Sequence, residues 1–317
     1  MNNTNKKIAF GPVPSRRLGQ SIGINNIPPK TCTYACLYCQ IGKTNHMQIK
    51  RQKFYSPHKI IDEVKQKIKK TKEKNENIDY LTFVPDGEPT LDINLGKEIA
   101  LLKKIGYKVA VITNSSLLWD KTVQDDLLIA DCVSVKIDAF DEKIWKKINR
   151  PQGLLNFEKI TKGIYDFSKI YKGKLLTETM IVKNINDSPQ NFEKIAKFIK
   201  KLNSSKSYLS IPIRPPSEKF AISPSESNLN HAYNIFKTKG LETELLIGYE
   251  GNAFAFTGDV EEDLLSIISV HPMRKDAVEI FLKKADEKWD IIKNLIDSNK
   301  VVETVYNKNK FYIRKLN

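Results

Sequence analysis

Cys32, Cys36 and Cys39 stand in Thr31-Cys32-Thr33-Tyr34-Ala35-Cys36-Leu37-Tyr38-Cys39-Gln40, a C-x-x-x-C-x-x-C run. Three thiolates on one short loop can hold three corners of a cubane cluster and leave the fourth iron open. A substrate or cofactor can be chelated at that iron and an electron delivered there. Ordinary ferredoxin runs supply four cysteines and close the cluster. The competing reading is zinc, with Cys32, Cys36, Cys39 and His46 as four ligands. The fourth cysteine, Cys132, stands alone in an apolar segment and reads as an inert core thiol. This is not a disulfide framework.

Other residues fall where predicted strands end. Asp79 to Val84 reads as a strand, and Asp86-Gly87-Glu88-Pro89 follows it. Tyr107 to Thr113 is the next, ending in Asn114 and Ser115. Cys132 to Ile137 places Lys136 and the following Asp138 on one face, with Val135 and Ile137 on the other. A cofactor site and a buried ion pair are both consistent with that charged pair. Further strands are expected at Leu175–Val182, Tyr208–Ile213 and Glu242–Ile247. Met180, Asn184, Arg214 and Glu250 lie at or near strand ends, and Arg214 is the candidate anion contact to a substrate. Asn184 to Asp187 reads as a cap of the next helix. Arg16 and Arg17 are either contacts or surface charges on an N-terminal strand.

Helices separate these strands. Ser56-Pro57 and Ser188-Pro189 each give an N-cap with proline at the first helical position. Ser223-Pro224-Ser225-Glu226 reads as a capping box with proline in that position. Helices are expected to about Lys74, near Leu95–Lys104 and Asp120–Ile129, over Phe157–Tyr171, and to about Leu202 and Lys239. The alternation predicts a parallel sheet with helices outside and chemistry at the carboxyl ends of the strands. The expected fold is therefore an incomplete TIM-like (β/α)6 barrel over residues 1–254. A doubly wound sheet is the alternative, and no Gly-rich phosphate loop follows any strand. Residues 255–317 break the pattern. Three helices (Glu261–Val270, Arg274–Ala285, Asp286–Ser298) and a hairpin about Asn307-Lys308-Asn309 suggest a winged-helix module.

The 317 residues, 40% hydrophobic, suffice for one large domain and a small one. No apolar run reaches a membrane span, and the N-terminus lacks a signal-peptide core, so the expected location is the cytoplasm. The net charge is +15, yet from residue 255 onward eleven basic residues balance eleven acidic ones. The surplus therefore lies before it. Lys43, Lys50, Arg51, Lys53 and Lys59 fall in the loop after the cysteines; Lys65, Lys67, Lys69, Lys70, Lys72 and Lys74 read as the wet face of a helix. Such a balance suggests an anionic partner, or lysine that dominates solvated faces. The third tail helix carries Asp286, Glu287, Asp290 and Asp297, a poor match to duplex DNA. A structural cap, or a platform for RNA or a partner, is the expectation for the tail.

The cysteine run, with an aromatic before its last cysteine, resembles the radical S-adenosylmethionine superfamily. The resemblance extends over most of the chain, through Phe10 to Gly19, Asp86 to Leu91, Thr113 to Ser115, Val135 to Ala139 and Ile148 to Pro151. The group nearest in pattern is related to the wyosine-base tRNA synthases. The resemblance implies a [4Fe–4S] cluster on Cys32, Cys36 and Cys39, with S-adenosylmethionine chelating the open iron. Reductive cleavage would give a 5′-deoxyadenosyl radical that abstracts hydrogen from a substrate. It places Tyr38 against the adenine. It likens Asp86-Gly87-Glu88 to a Gly-Gly-Glu motif that holds the methionine amino group, with Asp86 in place of the first glycine. Asn114, Ser115, Lys136 and Asp138 would meet the carboxylate and ribose. A reductant such as ferredoxin or flavodoxin is implied, and a tRNA or other RNA substrate is the expectation. Wyosine-type synthases use a second cysteine set, and residues 1–31 contain no cysteine. The rival is a non-enzymatic cluster protein that senses redox state and binds nucleic acid through its tail.

Overall fold

A computed structural model describes residues 7–248, 252 and 254–315. The chain opens with β1 (Ala9–Ser15) and β2 (Gly19–Ile24), an antiparallel hairpin. The cysteine loop follows, with the two-residue pair β3 (Thr31–Cys32) and β4 (His46–Met47). Regular alternation then begins: α1 (Pro57–Glu73), β5 (Tyr80–Phe83), α2 (Leu95–Lys103), β6 (Lys108–Thr113), α3 (Lys121–Leu127) and β7 (Cys132–Lys136). Two helices, α4 (Glu142–Asn149) and α5 (Phe157–Ile170), precede β8 (Lys174–Met180). After them come α6 (Pro189–Ile199), β9 (Lys206–Ser210), α7 (Glu226–Thr238) and β10 (Thr243–Leu246).

These strands form one eight-stranded sheet in the order β1-β2-β5-β6-β7-β8-β9-β10. All neighbours from β2 to β10 pair in parallel; β1 is the antiparallel edge. The sheet curls into a half-barrel. Two elements go beyond those expected. β2, Gly19-Gln20-Ser21-Ile22-Gly23-Ile24, has little of a strand's apolar signal. In α4 Asp141 caps the helix through the Lys143 and Ile144 amides.

Side-chain alternation divides the barrel into two faces. Val109, Val111, Val133, Val135, Leu81 and Phe83 pack outward into the main core beneath the helices. Leu18, Ala110, Cys132, Leu176, Tyr208 and Leu246 form a separate inner cluster that plugs the barrel. Cys132 is thus the core thiol expected. Serines 56 and 188 cap α1 and α6 with proline next, as expected. The third cap differs. Ser225, not Ser223, accepts from the Asn228 amide and starts α7, so Pro224 lies outside the helix. The Ser223 hydroxyl donates instead to the Pro212 carbonyl at 3.1 Å.

The remaining segment runs α8 (Val260–Val270), β11 (Met273–Arg274), α9 (Lys275–Lys284), α10 (Asp290–Asp297), β12 (Val301–Tyr306) and β13 (Asn309–Arg314). Its sheet order is β11-β13-β12, and it has its own apolar core, joined by Val13 of β1. Lys67 corrects the reading of α1 as carrying only wet lysines. Its ammonium is buried and donates to Asp263 at 2.6 Å and Thr257 at 3.0 Å, tying α1 to α8. Among the described residues no helix is long and apolar enough to cross a membrane.

Candidate functional site

The cysteine loop is held from two sides. On one side Thr31 bridges Gly87, and the Glu88 amide donates to the Thr31 carbonyl at 3.1 Å. A Cβ on Gly87 would stand 1.9 Å from that oxygen, so only glycine allows the approach. On the other side Ala35 and Leu37 donate to the Asn149 and Ile148 carbonyls, and Gln152 donates to Thr33. The Ile148 to Pro151 motif is therefore the edge against which the loop is laid. Asn114 Nδ2 donates to Thr33 Oγ1 at 2.7 Å and approaches Cys32 Sγ at 3.5 Å; Asn149 Nδ2 approaches Cys36 Sγ at 3.4 Å.

All three thiols face one cavity of about 330 Å³ at the carboxyl ends of the strands. None is in a disulfide. Burial raises all three, with Cys36 pushed up to about 12 by burial and then by the Asp138 charge. Such thiols become thiolates when a bound cation compensates the charge. His46, the fourth ligand of the zinc alternative, is exposed on β4. Among the described residues no three Cys, His, Asp or Glu side chains converge on a mononuclear site. Thiols that stand apart around one cavity, with amide donors at two sulfurs, fit a multi-iron cluster.

Of the seven residues expected around a cofactor, five line this cavity: Tyr38, Gly87, Glu88, Asn114 and Lys136. Glu88 is fully buried. Its Oε1 accepts from Thr90 N at 3.1 Å, Thr90 Oγ1 at 2.6 Å and Thr113 Oγ1 at 2.6 Å, while Oε2 accepts from the Asn114 amide at 2.7 Å. Burial raises its carboxyl, and these bonds oppose the rise. Oε2 keeps capacity for a further donor.

Ser115 and Asp138 lie behind the cavity wall. Ser115, with φ of 70°, accepts the Lys136 amide on its hydroxyl at 3.0 Å. Asp138 falls just beyond the end of β7. It accepts from the Tyr38 hydroxyl, from Asn149 Nδ2 at 2.8 Å and from the Met180 amide at 2.8 Å. Lys136 and Asp138 do not form the buried ion pair with each other: Lys136 lines the cavity and bonds Glu178 instead. Its ammonium sits 5.0 Å above the Tyr38 ring and donates to Glu178 Oε1 at 2.9 Å.

Glu178 was not singled out from the sequence. It is an inward residue of β8 that meets Arg17 and Lys136 and accepts from Ser210 Oγ at 3.0 Å. Burial alone would raise its carboxyl; the charges of Arg17 and Lys136 outweigh that and hold it near 2. Burial also works against the Lys136 ammonium, but Glu178 and Asp138 raise its proton affinity. Both stay ionised across the ordinary pH range. This polar layer rests on the apolar plug and floors the cavity. A lone Glu in the apolar run of β8, on the same face as Met180, was the available signal. Arg17, one of the two arginines named from the sequence, lines the cavity from the hairpin turn, but its pairing with Glu178 had no local signal.

Arg214 and Met180 line the cavity. Arg214 donates to Gln40 Oε1 at 3.1 Å and to His271 Nε2 at 2.7 Å. A guanidinium only donates, so that imidazole nitrogen is the acceptor. Gln40 Nε2 donates to the Val270 carbonyl at 3.0 Å, so the end of α8 is part of the cavity wall. Arg16 lines the cavity too, and donates to the Leu245 and Gly248 carbonyls at the far edge of the sheet. Asn184 makes a turn with Asp187, and Ser188 is the helix cap. Glu250 lies outside the described residues.

A parallel half-barrel with a three-cysteine loop beyond its first parallel strand defines a class of cluster proteins, and the chain belongs to it: it is a member of the radical SAM superfamily, whose model matches residues 26–199. The family uses a [4Fe–4S] cluster and S-adenosylmethionine. Among its relatives is a UPF0026 protein of Methanocaldococcus jannaschii, 48% identical over 311 residues, covering 98% of this chain and 96% of that one. The fold is similar to a radical SAM methyltransferase from Sphaerobacter thermophilus (TM-score 0.55, 13% identity, 72% of this chain and 66% of that chain). It is also similar to TYW1 with a lysine-pyruvate adduct bound (TM-score 0.54, 18% identity, 70% of this chain and 75% of that chain).

Proposed function

We propose that the protein is a radical SAM enzyme whose reaction takes place in this cavity. Cys32, Cys36 and Cys39 each bind one iron of the [4Fe–4S] cluster, and the fourth iron is left for S-adenosylmethionine. When bound, the reduced cluster would supply the electron for reductive cleavage of S-adenosylmethionine, the source of a radical that would take hydrogen from a substrate. Glu88 receives the methionine ammonium on Oε2. Lys136 offers its ammonium to the carboxylate, and Tyr38, fixed by Asp138 and Asn149, presents its ring to the adenine. Thr31 and Gly87 hold the loop in register. The apolar plug keeps water from entering through the barrel floor, which protects a radical. The observation that carries this reading is the shared cavity: three unbridged thiols face the same space as the buried Glu88 and Lys136. A cluster that only senses redox state needs no such chamber.

Anaerobic reconstitution, reduction with dithionite and a search for 5′-deoxyadenosine test the proposal. Wild type is expected to cleave the cofactor, and Cys36→Ala to lose both cluster and cleavage. An intact cluster with no cleavage, or cleavage that survives Cys36→Ala, overturns it.

We also propose that residues 255–317 form a module of their own. The order α8-β11-α9-α10-β12-β13 supports reading it as a winged helix. The wing would be the hairpin with the two-residue turn Asn307 and Lys308, both at positive φ. Lys310 there is paired with Glu303 at 2.7 Å, and α10 carries Asp290 and Asp297. Duplex DNA is therefore a poor fit. The +15 charge supports an RNA substrate, tRNA among them, and a salt-dependent tRNA shift is the test.

A further inference from the structure

The proposed reaction needs an electron from outside, and the structure shows which face lies behind the cysteine loop. The cavity side of the thiols is where cofactor and substrate would sit. The segment 217–222 lies against the Cys36–Leu37 backbone. Ser217 Oγ donates to the Cys36 and Leu37 carbonyls at 2.9 Å, and the Glu218 amide donates to Leu37 at 3.0 Å. Ala221 packs into the small core formed with Leu37 and Tyr38. Two residues of the same segment do the reverse: Phe220 is 55% exposed and Ile222 is 40% exposed.

Cations surround them. Lys219 is exposed between Glu218 and Phe220. Lys183, also exposed, donates its amide to the Ile222 carbonyl at 3.0 Å. Glu218 is held by Arg150; that bond, with Arg150 and Lys43 charges, keeps its carboxyl below the usual range. The acid of the face is thus already neutralised, and Lys183 and Lys219 remain.

We propose that this face docks a small acidic one-electron carrier protein, with Phe220 and Ile222 as the apolar contact and Lys183 and Lys219 as the steering charges. Electron transfer falls steeply with distance, so a donor is best placed on the shortest path to the cluster ligands. Here Ser217 joins the segment that carries Phe220 to the Cys36 carbonyl through one hydroxyl. Complementary charge raises encounter rates, while the apolar centre gives contact energy. The inference rests on the cluster assignment made above.

The test is stopped-flow bleaching of the reconstituted full chain, wild type against Lys183→Glu/Lys219→Glu, at low ionic strength. Flavodoxin hydroquinone is the acidic protein donor, and photoreduced deazaflavin is the small one. The expected result is a rate at least about tenfold slower with flavodoxin and unchanged with deazaflavin, together with a salt dependence that wild type shows and the variant lacks. The corresponding Lys→Gln double variant, which adds no charge repulsion, should show a smaller loss of the same kind and guards against misfolding. Equal rates with flavodoxin, or equal losses with both donors, overturn the docking face. So does a variant that loses tRNA retention while keeping its flavodoxin rate, since the face then binds RNA. A wild-type chain that assembles no reducible cluster overturns the cluster assignment and this inference together.

Discussion

Gly87→Ala is the substitution on which the site geometry makes its sharpest demand. The added methyl would stand 1.9 Å from the Thr31 carbonyl oxygen and 2.8 Å from its carbon. Both are backbone atoms, so no side-chain rotation relieves the clash, and the two segments must part. Overpacking of this kind costs about 1–3 kcal/mol. The parting also strains the 3.1 Å bond from the Glu88 amide to Thr31, worth about 1 kcal/mol. A total near 3 kcal/mol, at roughly 2.1 cal/mol/K per residue, lowers the melting midpoint of a 317-residue chain by roughly 4–5 °C. Because Cys32 adjoins Thr31, iron loading should fall as well. The assay is a melt of the cluster-free protein under reducing conditions, with iron and sulfide counted per chain after anaerobic reconstitution. A wild-type midpoint with full iron refutes the reasoning. A lowered midpoint with full iron refutes only the link from Gly87 to the cysteine positions.

Three further outcomes are expected. Lys67→Met strands Asp263 beneath α8 and should cost about 3–5 kcal/mol, read as a lower urea midpoint and earlier proteolysis near residues 255–260; an apolar replacement at Asp263 as well should recover much of it. The Glu178 carboxyl is held near 2, below the ordinary glutamate value, so its stabilisation is full above about pH 4.3 and is lost as pH falls through about 2. Glu178→Gln should therefore remove on the order of 3 kcal/mol at neutral pH and flatten the stability profile between those limits, measured by denaturant titration at each pH. Asn149→Ala removes the donor near Cys36 Sγ and should move the cluster to a more negative potential in an EPR-monitored redox titration, since hydrogen bonds to sulfur favour the reduced, more anionic state.

Much of this site was legible because its parts are local. Three cysteines within eight residues make a loop ligand set whatever the fold. Gly87, Glu88 and Asn114 follow apolar strand runs, and the end of a parallel strand is a fixed place in a barrel. Ser56 and Ser188 announce their helices by local capping. Where the sequence misled, long-range packing was at work. Lys67 has the spacing of a solvated face, and only the arrival of Asp263, nearly two hundred residues later, buries it. Ser223 and Ser225 are equivalent as caps until the Pro212 carbonyl takes the first. β2 has two glycines and little apolar pattern, so its pairing with β5 gives it strand form.

The sequence by itself determined the cluster motif, the alternating architecture and the strand ends that face the cavity, because each depends on spacing along a few residues. The tertiary structure decided which charges meet. Lys136 pairs with Glu178 rather than Asp138, Arg17 enters the barrel from a hairpin turn, and His271 reaches Arg214 from the C-terminal segment. Those contacts join residues from 42 to 161 positions apart. Only the closing of the sheet brings them within hydrogen-bonding distance, where burial makes each pairing matter.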